Sequence, residues 1–275
     1  MTTQAHGERR LTAFMENPDA PRPGNVIHST DGGKDYGYTA ALVGGVTVYG
    51  WTAPAIIDAL GESWLDRGWV EVSFRRPTYP GDEMVARLVE QADGGHELTM
   101  DNQDGHHCLA GSAGLGDAPF LAEMATPELL TAADRPSEIP ALTLDNAPVG
   151  KDMLPMAVPH SKDEAREYAI EKEADDNPLY QGEHPLIHPG WIAARMTPLM
   201  HHSFDYAPAI HAKSHIQHLA RAEAGQTFTV AARCIDAYER KGHHYIVADG
   251  LLLAEDGSHV ARVRHTTIFN VAKRG

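Results

Sequence analysis

Residues 161–200 read SKDEAREYAIEKEADDNPLYQGEHPLIHPGWIAARMTPLM, a start, a polar turn and a second start. Ser161 followed by Glu164 has the spacing of a capping box, so hydroxyl and carboxylate can satisfy orphan amides of a helix running to about Glu173. Asp175-Asp176-Asn177-Pro178 then breaks it, because Asp and Asn bond nearby backbone and Pro cannot continue a helix. After the short Gln181–Pro185 loop, Leu186-Ile187-His188-Pro189-Gly190-Trp191 leads into an apolar segment, Ile192 to Met200. Pro189 near the helix entry, with Gly190 beside it, would leave amides pointing outward where an anion or a polarised carbonyl could be held.

These residues resemble the MaoC-type hydratase/dehydratase family of hotdog folds. Its signature is a helix, then G-D-x-N-P-[apolar]-H, a loop, and H-G at the start of the central helix. Asp175-Asp176-Asn177-Pro178-Leu179 matches D-x-N-P-[apolar], and Pro185-Leu186-Ile187-His188 matches the approach to the second His. Upstream, Gly150-Lys151-Asp152-Met153-Leu154-Pro155 is similar to the G-D-x-L-P entry of such domains. Two departures stand out. Tyr180 occupies the position of the family's catalytic His, and the loop to Pro185 is shorter than usual, with Pro189 added between His and Gly.

Working outward, the order of elements recurs. The first half has an uncharged stretch from Tyr36 to Ile57, read as a buried helix because its glycines, Thr and Tyr make it a poor membrane span. Helical spacing continues from Ala53 to Leu65, and strands follow at Trp69–Phe74, Met84–Gln91, Glu97–Met100 and Cys108–Leu115. In the second half the helix ends around Ser203–Pro208, and strands follow at Ala209–Leu219, Thr227–Tyr238, His243–Ala254 and His259–Phe269. Laid over each other at an offset of 144, the halves match Pro54 with Pro198, Gly81 with Gly225, and Leu42-Val43 with Leu186-Ile187. The expectation is an α+β double hotdog, two units each with a long helix wrapped by an antiparallel sheet. The units would span residues 1–116, including an extended N-terminal arm to about residue 24, and 161–275. The Pro-rich segment 117–160 would link them.

With 42% hydrophobic and 22% charged residues the composition is that of a soluble globular protein. A net charge of −15 argues against non-specific nucleic-acid binding and against a basic membrane-binding face. Cys108 and Cys234 are the only cysteines, and no apolar run follows the basic pair near the N-terminus, so a reducing cytoplasm is the expected compartment. There is no G-x-S-x-G, Walker loop or G-x-G-x-x-G, and no cofactor is expected. His211, His215 and His218 fall on a strand, where the third faces away from the other two, so no metal is expected either. Arg75, Arg76, Lys213 and Arg221 lie near strand ends, where they could meet a phosphate of coenzyme A.

The resemblance implies addition or removal of water at the double bond of an enoyl thioester, carried by coenzyme A or an acyl carrier protein. Such chemistry needs a base of near-neutral pKa and a polarised carbonyl. His188 would be the base, oriented by Asp175. The Gly190 amide would hold the oxyanion with Trp191 next to it, while Asn177 and Tyr180 shape the loop, Tyr180 also being a candidate proton donor. The alternatives are a thioesterase on the same fold and a non-catalytic acyl-binding unit. The chain could be a homodimer, or serve a hotdog partner subunit.

Overall fold

The structure, a computed structural model, describes residues 5–21 and 24–272. The first half runs β1 (Ala5–Thr12), α1 (Thr30–Asp35), α2 (Gly45–Gly50), α3 (Ala53–Leu60), α4 (Trp64–Arg67), β2 (Gly68–Phe74), β3 (Glu83–Glu90), β4 (His96–Asp101) and β5 (His107–Leu115). The second runs β6 (Met156–His160), α5 (Lys162–Glu167), α6 (Pro189–Ala193), α7 (Met196–Ser203), β7 (Ile210–His218), β8 (Gln226–Arg240), β9 (His243–Leu253) and β10 (His259–Asn270). Period-two burial makes the strands one-faced. In β3, Met84, Ala86 and Leu88 point into the core and their neighbours out.

The ten strands form one sheet in the order β1-β3-β4-β5-β2-β7-β10-β9-β8-β6, antiparallel throughout. The order reads the same from either edge once each strand is exchanged for its repeat mate, so a pseudo-twofold axis crosses the β2–β7 seam. There Glu71 lies opposite His215, its own counterpart 144 positions on, and the two side chains approach to 3.4 Å. Gly81 and Gly225, another such pair, both have φ of 93°. That backbone conformation needs glycine, and each amide closes a matching bond, to the carbonyls of Ala13 and His160. This is the double hotdog fold expected from the sequence.

Three features depart from that expectation. The long helices are broken: α2 gives way to α3 at Trp51-Thr52, and α6 to α7 at Ala194-Arg195, so that Trp51 and Arg195, 144 apart, both fall in the break. Residues 5–12 of the arm pair with β3, and residues 156–160 of the segment read as a linker pair with β8. Edge strands carry charge and tolerate Pro because only one ladder must be satisfied, which is why Glu8-Arg9-Arg10 and Pro159 concealed them.

The helices cover the inner face of the sheet, with Tyr49, Trp51, Trp64, Tyr180 and Phe228 among the largest fully buried side chains. Contact between α2 and α6 is close at glycines. A Cβ on Gly190 would lie 3.1 Å from the Gly50 Cα. No helix among the described residues is long and apolar enough to cross a membrane.

Candidate functional site

The capping box forms as written: Ser161 Oγ accepts from the Glu164 amide at 3.2 Å, and the Glu164 carboxylate accepts from the Ser161 amide at 2.8 Å. The helix passes into a π turn at Tyr168–Lys172 and stops where Ala174 adopts φ of +48°. Arg9, from the far half, donates to the freed carbonyls of Glu173 and Ala174. Asp175 Oδ1 then accepts from the Asn177 amide, and Asn177 Oδ1 from the Leu179 amide, both at 3.0 Å. Asn177 thereby caps a 3₁₀ turn, Pro178–Tyr180.

This turn brings Asp175 to His188, Oδ2 to Nε2 at 3.3 Å, with both residues buried. The Gly190 amide donates to His188 Nδ1 at 3.0 Å. Because Nδ1 accepts, the neutral ring must carry its proton on Nε2 and donate it to Asp175. Burial holds the His188 imidazole below its usual pKa against the pull of Asp175. Burial would raise the Asp175 carboxyl, but the His188 bond and charge, the Asn177 amide and Arg9 together hold it low. The pair is therefore carboxylate and neutral imidazole. Neither ring nitrogen offers a free lone pair, and the amide expected to polarise a carbonyl is taken up by the ring.

The surroundings are packed. The Tyr180 ring meets His188 edge-on at 4.7 Å, and its hydroxyl is buried without a partner. Trp191 stacks on His160 at 4.2 Å and lies under the Arg195 guanidinium, also at 4.2 Å. Sequence reasoning missed Glu173, whose carboxyl is fully buried against Gly50 and Gly190 and makes no hydrogen bond of ordinary geometry. Burial pushes its pKa up to about 8, ahead of the opposing pull of Tyr168 and Arg9.

No cavity described is lined by Asp175, Asn177, Tyr180, His188, Gly190 or Trp191. The largest, about 410 Å³, lies between α2 of the first half and β7, β9 and β10 of the second. Its walls are mainly apolar, with Val46, Val48, Phe74 and Ile210 among them, and the exposed Arg75 and Arg76 also line it. Arg221, by contrast, is paired with Asp66 at 2.8 Å. Among the described residues no group of three His, Cys, Asp or Glu is arranged to hold a metal, and His211 packs on His265 at 4.3 Å.

A third void, about 10 Å³, is the repeat mate of the large one. Each of its eight lining residues has a counterpart 144 positions away in the large cavity's wall. Leu186 answers Leu42, Ile187 answers Val43, Ile192 answers Val48, His218 answers Phe74, Arg221 answers Pro77 and Leu65 answers Ala209. The duplicated fold thus makes two equivalent sites, one open and one shut. Nearby counterparts differ in bulk: Gly44, Thr47 and Pro208 answer His188, Trp191 and Trp64.

No family model matches the chain, and no curated protein matches it. Solved structures of the same fold do. A MaoC-like dehydratase is 12% identical with a TM-score of 0.58, over 96% of this chain and 98% of that one. A MaoC domain protein dehydratase from Chloroflexus aurantiacus is 13% identical with a TM-score of 0.59, over 90% and 86%. Rv0216 from Mycobacterium tuberculosis, described as a double hotdog, is 12% identical with a TM-score of 0.59, over 86% and 84%.

Proposed function

We propose that the protein acts on acyl thioesters, adding water to the 2,3 double bond of an enoyl group or removing it. The observation that carries this reading is the cavity of about 410 Å³ between the two halves of a double hotdog. That volume and its mainly apolar wall suit an acyl chain. Arg75 and Arg76, exposed in that wall, would meet the phosphates of the thioester's carrier, either coenzyme A or an acyl carrier protein. The shared fold with proteins titled dehydratases supports the same reaction class. In this reading the Asp175–His188 pair, with Asn177 and Tyr180 around it, either handles the proton after a local opening or holds the fold.

A second reading is binding without turnover. It is favoured by the engagement of both His188 nitrogens and of the Gly190 amide. The experiment is hydration of crotonyl-CoA and longer enoyl-CoAs by the wild type, Asp175→Asn and His188→Ala. Turnover supports the hydratase reading. Thiol release from saturated acyl-CoAs would indicate a thioesterase, and tight binding with neither reaction would leave the binding role.

A further inference from the structure

Two adjacent glycines at the start of α2 stand there for different reasons. A Cβ on Gly45 would lie 3.1 Å from the His211 Cβ and 3.3 Å from the Phe74 ring, so close packing accounts for that glycine. A Cβ on Gly44 would meet nothing nearer than Thr47 Oγ1 at 3.9 Å and His28 Cε1 at 4.0 Å, ordinary contact distances. Its φ of −62° and ψ of 135° suit any residue. Capping does not select glycine either, because Gly44 is the N-cap of α2, where Ser, Asn or Thr would serve at least as well and would bond an amide besides. The fold accepts a large side chain at this place, since the residue 144 positions on is His188.

What the missing side chain leaves is space between two cavities. Gly44, with Val43 and His28, lines both the large cavity and a neighbouring one of about 220 Å³. The smaller cavity has an apolar side made by Phe14, Met15 and Val43, and Phe14 is steadied by its ring on Trp51 at 5.2 Å. Lys172 and Glu16 also border it, ion-paired at 3.2 Å and largely exposed, so this end of the cavity meets solvent. Thr47 borders the smaller cavity but not the large one, and its counterpart in the other half is Trp191.

We propose that Gly44 is an aperture joining the two cavities into one channel, and that the ligand is a long-chain acyl thioester whose tail passes Gly44 into the smaller cavity. This rests on the acyl-thioester reading above and adds to it the length of the chain and the residue that sets it. With the carrier's phosphates at Arg75 and Arg76, the large cavity holds the thioester and the nearer carbons of the chain. The distal methylenes gain their apolar contacts beyond Gly44, against Phe14 and Met15. Short acyl groups end before the aperture, so narrowing it penalises long chains alone.

The test compares binding of butanoyl-CoA and hexadecanoyl-CoA, the latter below its micelle concentration, by the full chain and two variants in calorimetry. Gly44→Leu closes the aperture. Thr47→Trp fills the smaller cavity from its own wall, with the residue the other half carries, and tests the channel should Gly44→Leu fail to fold. The wild type should bind hexadecanoyl-CoA more tightly than butanoyl-CoA. We expect each variant to keep its butanoyl-CoA affinity within a few-fold, which also shows that it is folded. Each should lose about tenfold or more for hexadecanoyl-CoA, the cost of keeping about two methylenes out of an apolar site. Hexadecanoyl-CoA affinity unchanged in the variants, or an equal loss of both ligands in a folded variant, overturns the aperture. Wild type that binds butanoyl-CoA as tightly as hexadecanoyl-CoA, or binds it alone, overturns the channel and leaves the acyl-thioester reading standing. Wild type that binds neither overturns both.

Discussion

At His188 the neighbours decide what the ring can do. With one nitrogen accepting from Gly190 and the other donating to Asp175, His188 is held as a neutral ring. Removing it leaves Asp175 Oδ2 and the buried Gly190 amide without partners, as well as a void. His188→Ala should cost about 2–4 kcal/mol of stability, read as a lower urea midpoint at unchanged m-value. Asp175→Asn, which keeps an acceptor for the ring, should cost less. Glu173 gives a pH signature. Its carboxyl is raised from about 4.5 to about 8 by burial, so between those values the unfolded chain releases the proton that the folded one keeps. Its contribution to stability is therefore fullest below about 4.5, falls as pH rises and levels off above about 8. Glu173→Gln should become increasingly more stable than wild type across that window in thermal melts at successive pH values. A constant difference would contradict the burial argument. None of this was legible in the sequence, because Glu173 reads as one more charge in an acidic helix, and only the approach of the α2 and α6 glycines reveals it as buried.

Elements were more legible than their breaks. Strand after strand in both halves lies within a residue or two of its expected span, because period-two alternation survives in a chain that buries one sheet face. The capping box at Ser161 was also readable, being local, and Ser161→Ala should lower stability by about 1 kcal/mol. The helix breaks escaped notice because they answer to tertiary contact: α2 and α6 meet backbone to backbone, and helical spacing alone runs straight through Trp51. At the end of the π turn, Ala174 is exposed and left-handed, a conformation glycine adopts without penalty. Ala174→Gly should therefore stabilise the protein by about 0.5–1 kcal/mol. A loss of stability in unfolding titrations would show that the turn is not held as described.

For the whole molecule, duplication is the organising fact. Two copies joined at the β2–β7 seam make two cavities whose lining residues correspond at an offset of 144, one large and one nearly closed. The motif in residues 161–200 pointed to the nearly closed one. Its twin was less visible in the sequence because its landmarks are small residues, Gly44 and Thr47. The edges β1 and β6 end the sheet with charge and proline, features that discourage further strand pairing.

The most direct measurement is a crystal structure of the chain with a non-hydrolysable acyl-CoA thioether. The account predicts one ligand per chain, its acyl group between α2 and β7 and its phosphates at Arg75 and Arg76. A ligand seated against Asp175 and His188, with the Tyr180 ring displaced, would contradict it.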